Sequence, residues 1–269
     1  DYMTTNDENI SSNNLNSNLF SGKFGIEIEE HRVQTDTLSL SQHPHPASLG
    51  KRKTHPYFQT DFSESQEEVV TAVQSSSAAA LQHLHELQFM LTQSLKGKEF
   101  IWPLSMPPYL READIIFLKT HFERPWYQKY RDVLFLRYGP FQHIMTGIHV
   151  NFSPEDSVIK NYANQHALTD YVTAKNKLFF QIAQQIAGYR WLLTYLFGAA
   201  PVNENSSANL PNNYRKRQPV RSWRASNFGF TNQPHIDVNY TDFNTHIKQL
   251  TNHITNGDLY DKSEFYGPV

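Results

Sequence analysis

Glu27 and Glu29 stand two residues apart in the run KFGIEIEEHRV, residues 23–33, and alternate with Ile26 and Ile28. Side chains two apart on a β-strand share a face, so this spacing sets two apolar groups on one side and two carboxylates on the other. The carboxylates would lie roughly 7 Å apart and repel by about 2 kcal/mol at an effective dielectric near 20. Three other groups could carry chemistry. Asp61, Glu64, Glu67 and Glu68 crowd the stretch TDFSESQEE. His149 and Asn151 alternate with Ile148, Val150 and Phe152 in GIHVNFS. Arg215, Lys216, Arg217, Arg221 and Arg224 form a basic group around a single Trp.

Singly, each group fits a solvated sheet face, edge or loop. Together, several carboxylates and one imidazole on strands suit Mg²⁺ or Mn²⁺, which keep bound waters and bridge to substrate phosphates. Zinc is disfavoured, because the chain has no Cys and no H-E-x-x-H. A P-loop, a G-x-G-x-x-G turn and a G-x-S-x-G elbow are also absent from the sequence.

These residues need a scaffold, and 269 residues with 39% apolar and 13% aromatic side chains can build one around a substantial core. A net charge of −2 gives no overall field toward nucleic acid or an anionic membrane, and neither is expected as a partner. No apolar run approaches the ~20 residues of a membrane span, and the polar start lacks the order of a signal peptide. With no Cys, there is no disulfide framework, and a cytoplasmic location is expected.

Residues 1–20, rich in Asn and Ser, read as a disordered lead-in, and 21–269 as the folded part. Strands are expected near 24–33, 57–73 and 147–153, with a turn-rich loop at 41–53. Ser75, Ser76 and Ser77 offer caps for a helix over 78–95, whose Leu81, Leu84, Leu87, Leu91 and Leu95 keep helical spacing. A second helix is expected from Pro125 to Tyr138, ended by Gly139. A third spans Thr169 to Phe197, packed outside the sheet through Leu178, Ile182, Ile186 and Leu193. The segment 201–219 reads as loop, and a last helix capped by Asp242 carries Phe243, Ile247, Leu250 and Ile254. Strands and helices mix without βαβ alternation, so the fold class is α+β with an antiparallel or mixed sheet.

The motifs GIEIEEHRV, HPHPASLG, TDFSESQEEVVT, IWPLSMPP, RYG, TGIHVNFS and YLFGAAP occur in the order seen in glutamate–cysteine ligases. The chain resembles the bacterial type. WLLTYLFGAAP, PVRSWRASNFGF and KSEFYGPV are most similar to the ligase half of bifunctional glutathione-synthesising proteins. The resemblance covers about 21–269. It implies a fold similar to the glutamine synthetase catalytic domain, an antiparallel sheet funnel with outer helices. It implies ligation of the glutamate γ-carboxyl to the cysteine amine, with ATP as co-substrate, through a γ-glutamyl phosphate. A related ligase using another amine, and a non-catalytic chain that binds metal, glutamate or a partner chain, are the competing expectations.

By resemblance, Glu27, Glu29, Asp61, Glu68 and His149 match metal ligands for Mg²⁺ or Mn²⁺. Arg131 and Arg224 match catalytic arginines near glutamate and phosphate. Phe62, Tyr130, Asn151, Phe230 and Tyr266 match substrate-binding positions, mostly around the cysteine pocket. Family members commonly carry Tyr where Phe230 stands, and a Phe there removes a hydrogen bond worth about 0.5–1.5 kcal/mol. Val150 and Ala72 replace a usual Tyr and Pro. The family continues past the residues matching Tyr266-Gly-Pro-Val, so the chain reads as the N-terminal part of the domain, with a C-terminal half fused or separate.

Overall fold

The computed structural model describes residues 21–52, 54–118, 125–199, 221–226 and 239–256, with the backbone alone for 125–127 and 137–142. Its centre is one long strand, β1 (Gly22–Gln34). The short β2 (Phe58–Thr60) and β3 (Gln66–Val70) extend the sheet on one side of β1. On the other side, β5 (Ile148–Pro154) pairs with the first half of β1 and β4 (Glu99–Trp102) with its last four residues. Every pairing is antiparallel, as the α+β reading expects.

The register decides which residues share a face. Ile28 lies opposite Val69 and Ile148, while Glu29 lies opposite Glu68 and Glu27 opposite His149. Ile26, Phe58 and Val69 pack beneath α1 (Ser77–Ser94), through Ala80, Leu84, Leu87 and Leu91. Ser76 caps α1 by accepting a hydrogen bond from the Ala79 backbone N–H at 3.1 Å. Across β1, β2 and β3 one face of the sheet is thus sealed by a helix, and Glu27, Glu29 and Glu68 rise from the other.

Glu112–Leu118 forms α2, and Pro125–Gln142 forms α3. α3 does not stop at Gly139 but continues through Pro140 to Gln142, where context overrides the local break. A second core of Leu40, Phe62, Leu110, Leu118, Leu134 and Ile144 ties both helices to the loops beside the sheet. Asp156–Gln165 forms α4, and Tyr171–Phe197 forms α5, capped where Asp170 accepts from the Thr173 N–H at 2.7 Å. Phe243–Asn256 forms α6, with Asp242 as the expected cap, accepting from the Thr245 N–H at 3.0 Å. β4, α2 and α4 are not anticipated by the sequence reading.

α5 is also not where it was expected. It packs against α4 and α6 rather than on the sheet, where α1 covers the apolar face over β1, β2 and β3 and Ile148 and Val150 of β5 stay exposed. Leu178 and Ile182 are half-buried there, while Ile186 and Leu193 are exposed. The only fully buried side chain of α5 among the described residues is Ala174.

Candidate active site

On the open face, β1 places Glu27, Glu29 and His31 in a row. Glu27 is held from β5: Asn151 Nδ2 donates to Oε1 at 3.0 Å, and His149 Nδ1 lies 3.1 Å from Oε2. Glu29 is more enclosed. The Gly147 N–H donates to its Oε2 at 2.8 Å, and Arg224 Nη1 reaches the same oxygen at 3.0 Å. Arg224 also donates to the Met145 carbonyl at 2.6 Å and lies 3.2 Å from His149 Nε2, so it links both glutamates. Gly147 makes room for it: a Cβ there would come within 2.8 Å of the guanidinium carbon.

The expected repulsion within the Glu27–Glu29 pair is therefore met by separate partners, and the crowding falls elsewhere. Burial pushes the Glu68 carboxyl up to about 7, and Asp61, Glu29 and Glu27 add to the rise. Burial raises Glu29 too; Arg224 opposes this and Asp61 adds to it. Asp61 is gripped by Arg131, whose Nη2 donates to the Asp61 carbonyl at 2.8 Å and its carboxylate at 3.3 Å.

Arg131 lies over the ring of Phe62, 5.1 Å from its centroid, and 5.7 Å from that of Tyr130. Phe62 in turn stacks on His143, with centroids 4.8 Å apart. Phe62 is sealed in the second core, with the Arg131 guanidinium over its ring. His31 closes the floor, wholly buried, with Nε2 2.6 Å from the Ile144 carbonyl and Nδ1 without a partner among the described residues. Burial pulls both His31 and His143 down to about 4.

The acids of residues 60–68 do not form one group. Asp61 and Glu68 belong to the open face. Glu67 turns to the sealed face, where it meets Arg32 Nε at 2.8 Å and His45 Nδ1 at 2.8 Å. Glu64 pairs with Arg52 at 2.6 Å. Of the basic group, Arg224 enters the site, while Arg221 donates to the Tyr195 carbonyl at 3.0 Å; Arg215, Lys216 and Arg217 lie outside the described residues, as do Phe230 and Tyr266. The sequence reading missed Arg32, although it sits inside the first motif. Fully buried, it also reaches Glu99 at 3.1 Å and the His43 and Glu64 carbonyls at 2.8 Å.

Whether these residues suit a divalent cation is a question of donor chemistry. Glu27, Glu29, Asp61 and Glu68 supply oxygen donors; burial raises Glu68 and the neighbouring acids add to the rise, and a cation would relieve that part of it. Among the described residues, no three of these groups converge as a ready-made cage. The set fits in kind, and its members are held apart by Arg224, Asn151 and Arg131.

The fold is of the α+β class, an antiparallel sheet with carboxylates and arginines gathered on its open face. The glutamate-cysteine ligase family profile matches residues 8–265, and the chain belongs to that family. It is 34% identical over 251 residues to the glutathione biosynthesis bifunctional protein of Streptococcus agalactiae, covering 93% of this chain and 33% of that protein. The corresponding Listeria monocytogenes protein is 36% identical, with 95% and 34% covered. A crystal structure of a bifunctional glutathione synthetase from Pasteurella multocida superposes with a TM-score of 0.81 at 32% identity, over 96% of this chain and 33% of that one. The Francisella tularensis glutamate–cysteine ligase in complex with AMP gives 0.72 at 27% identity, over 91% and 51%. The chain spans about a third of the length of the curated relatives it matches.

Proposed function

We propose that residues 21–269 are the N-terminal part of a glutamate–cysteine ligase catalytic domain, which joins the γ-carboxyl of glutamate to the amine of cysteine at the expense of ATP. This is the first step of glutathione biosynthesis and belongs in the cytoplasm; among the described residues, no helix is long and apolar enough to cross a membrane. The observation that carries the reading is the crowding of Glu68 by Asp61, Glu29 and Glu27 on a face that also holds Arg224 and Arg131.

The glutamate γ-carboxylate is a poor electrophile and is phosphorylated first. Glu27, Glu29, Asp61, Glu68 and His149 would hold Mg²⁺ or Mn²⁺, which when bound neutralises phosphate charge and aligns it for in-line transfer. Arg224, fixed by Glu29 and the Met145 carbonyl, presents fixed positive charge beside the strand where phosphate oxygens would lie. Arg131, fixed by Asp61 and the Phe62 face, does the same at the far side of the cluster. Asn151 keeps Glu27 oriented for this task. Once the amine attacks the acyl phosphate, the same two guanidinium groups stabilise the tetrahedral oxyanion. Tyr130, Phe230 and Tyr266 are assigned to the cysteine side by resemblance alone.

The test is phosphate release by the chain joined or mixed with the C-terminal remainder of a relative, with ATP, Mg²⁺, glutamate and cysteine. Release that requires both amino acids is the expected result. Release with another amine in place of cysteine would identify a related carboxylate–amine ligase. An Mn²⁺-dependent rise in melting temperature without any release would identify a non-catalytic binding chain.

A further inference from the structure

His31 and Gln66 lie directly opposite one another on β1 and β3. Such a pair shares a face of the sheet, with Cβ atoms about 4.5–5.5 Å apart. It is the next rung on the open face after Glu29 and Glu68, and both of its side chains are wholly buried. Each carries a polar atom without a partner among the described residues, Nδ1 of His31 and Oε1 of Gln66. Buried polar atoms are as a rule hydrogen-bonded, so two orphans on neighbouring side chains call for a common partner.

Both orphans are acceptors. A carbonyl only accepts, so His31 carries its proton on Nε2, which lies 2.6 Å from the Ile144 carbonyl. A second proton on Nδ1 would bury a net charge together with an unpaired N–H. Gln66 is oriented by Asp61: its Nε2 lies 3.5 Å from Asp61 Oδ2, and turning the amide over would set oxygen against carboxylate. Two acceptors cannot bond to each other, and a ligand that satisfies both must bring two donors. Water does so and spans acceptors up to about 5.5 Å apart, within reach of a directly opposed pair. A divalent cation fits less well, because His31 does not join the nearby carboxylates in a group of three among the described residues.

We propose that a buried water donates to His31 Nδ1 and Gln66 Oε1, and that through it His31 and Gln66 act as positioning residues for Asp61. That role rests on the reading of Asp61 as a metal ligand of the ligase site; the water bridge itself does not. The water fixes the oxygen end of the Gln66 amide, so the nitrogen end stays turned to Asp61 Oδ2. Arg131 holds the other carboxylate oxygen at 3.3 Å, and the Asp61 N–H donates to the Gln66 carbonyl at 3.1 Å. Asp61 is thereby held at both oxygens and at its backbone, with lone pairs left over on each oxygen. Outer partners of this kind orient a carboxylate before an ion arrives.

The test uses the full 269-residue chain labelled with ¹⁵N. Long-range ¹H–¹⁵N spectra read the His31 tautomer and whether Nδ1 accepts a hydrogen bond, and water-selective cross-relaxation reads a water held beside the ring. The expected result is an Nε2–H tautomer, an Nδ1 signal upfield of an unbonded pyridine-type nitrogen, and a cross-peak from water to His31 or the Gln66 amide. Gln66→Met keeps the length and bulk of the side chain and removes its amide. It should return Nδ1 toward the unbonded position and weaken Mn²⁺ binding, read by electron paramagnetic resonance, at least fivefold, with circular dichroism unchanged. An Nδ1–H tautomer, an unbonded Nδ1 in the native chain or the lack of any water contact would overturn the bridge. Equal Mn²⁺ affinities of the two proteins, or no Mn²⁺ binding by either, would overturn the positioning of Asp61. A bridge found in a chain that releases no phosphate when completed would support the bridge and count against the ligase reading alone.

Discussion

Glu67 and Glu68 are neighbours on β3 that project from opposite faces of the same sheet, and the two faces treat a carboxylate in opposite ways. Glu67 is sealed from solvent between Arg32 and His45, with Glu99 on the other side of the guanidinium. Glu68 lies among Asp61, Glu29 and Glu27, with its affinity for a proton raised to neutrality. On the sealed face Glu67 and Glu99 each meet a cation, which is how a buried charge is tolerated, and Glu30 is held by the Gln88 amide. On the open face the acids outnumber their partners, an arrangement that costs stability and makes sense as a site awaiting positive charge.

The largest expected effect breaks the sealed face. Arg32→Ala leaves Glu67 and Glu99 buried without their shared cation and should destabilise the chain by about 3–5 kcal/mol. A urea-unfolding midpoint close to that of the native chain would show that the network is not what holds this face.

Acid should act next, through the floor of the open face. His31 and His143 are held near 4 in the fold, against an ordinary value of 6.5. Between those values the unfolded chain binds protons that the folded one does not, so stability rises with pH across that window. Lowering the pH from 6.5 to 4 should cost about 3 kcal/mol for each group. His143→Phe keeps the stack on Phe62 and removes one titrating ring, so its loss of stability in acid should be visibly smaller. Parallel acid profiles for the two proteins would sink this assignment.

Removing one crowded acid should help rather than harm. Glu68→Gln should stabilise the metal-free chain at pH 8 by something on the order of 1 kcal/mol, since Glu68 is partly solvated and its raised affinity is discounted accordingly. The gain should fade as the pH drops from 7 through 4.5, below which the carboxyl is protonated in folded and unfolded chain alike. Glu67→Gln, one residue away, should destabilise at both values. Thermal melts of the two variants side by side decide whether the faces differ as described. The same Glu68→Gln protein should lose most of any Mn²⁺-dependent rise in melting temperature, which follows mass action in the native chain.

The smallest effect on stability comes from Gly147→Ala. The new methyl group meets the flexible end of Arg224, which can swing aside, so the fold should lose no more than about 1 kcal/mol. The Arg224–Glu29 pair should be lost, and the Glu29 carboxyl, already raised by burial, should titrate higher still in a carboxylate-resolved NMR experiment. An unmoved Glu29 titration would mean that Gly147 does not set the position of Arg224.

What the sequence disclosed follows the range of the forces involved. The alternation in β1 and β5, the Ser76 cap and the Asp242 cap are written within a few residues of where they act, and they were legible. β4 and α2 are short and owe their state to what they pack on, so local pattern said little. α5 carried the right helical period, but period cannot name the surface a helix faces. In the site, the acids and Arg224 were visible while their pairing was not: Arg224 and Glu29 are 195 residues apart, and no local spacing joins them. The parity of β3 alone could have separated Glu67 from Glu68, since adjacent strand residues face opposite ways.

The central position of β1 also sets a schedule for the growing chain. Its first half is not paired on the β5 side until residue 154 has been made, 120 residues after the strand itself ends at Gln34. At 5–20 residues per second, translation takes roughly 6–24 s to cover that distance. Throughout that interval the strand that carries Glu27 and Glu29 has an open edge, with β3 arriving early on the other side. Two like charges on that strand discourage the edge from adding a neighbouring nascent chain. The residues placed for chemistry in the finished fold thus also act as a guard against misassembly while it is being built.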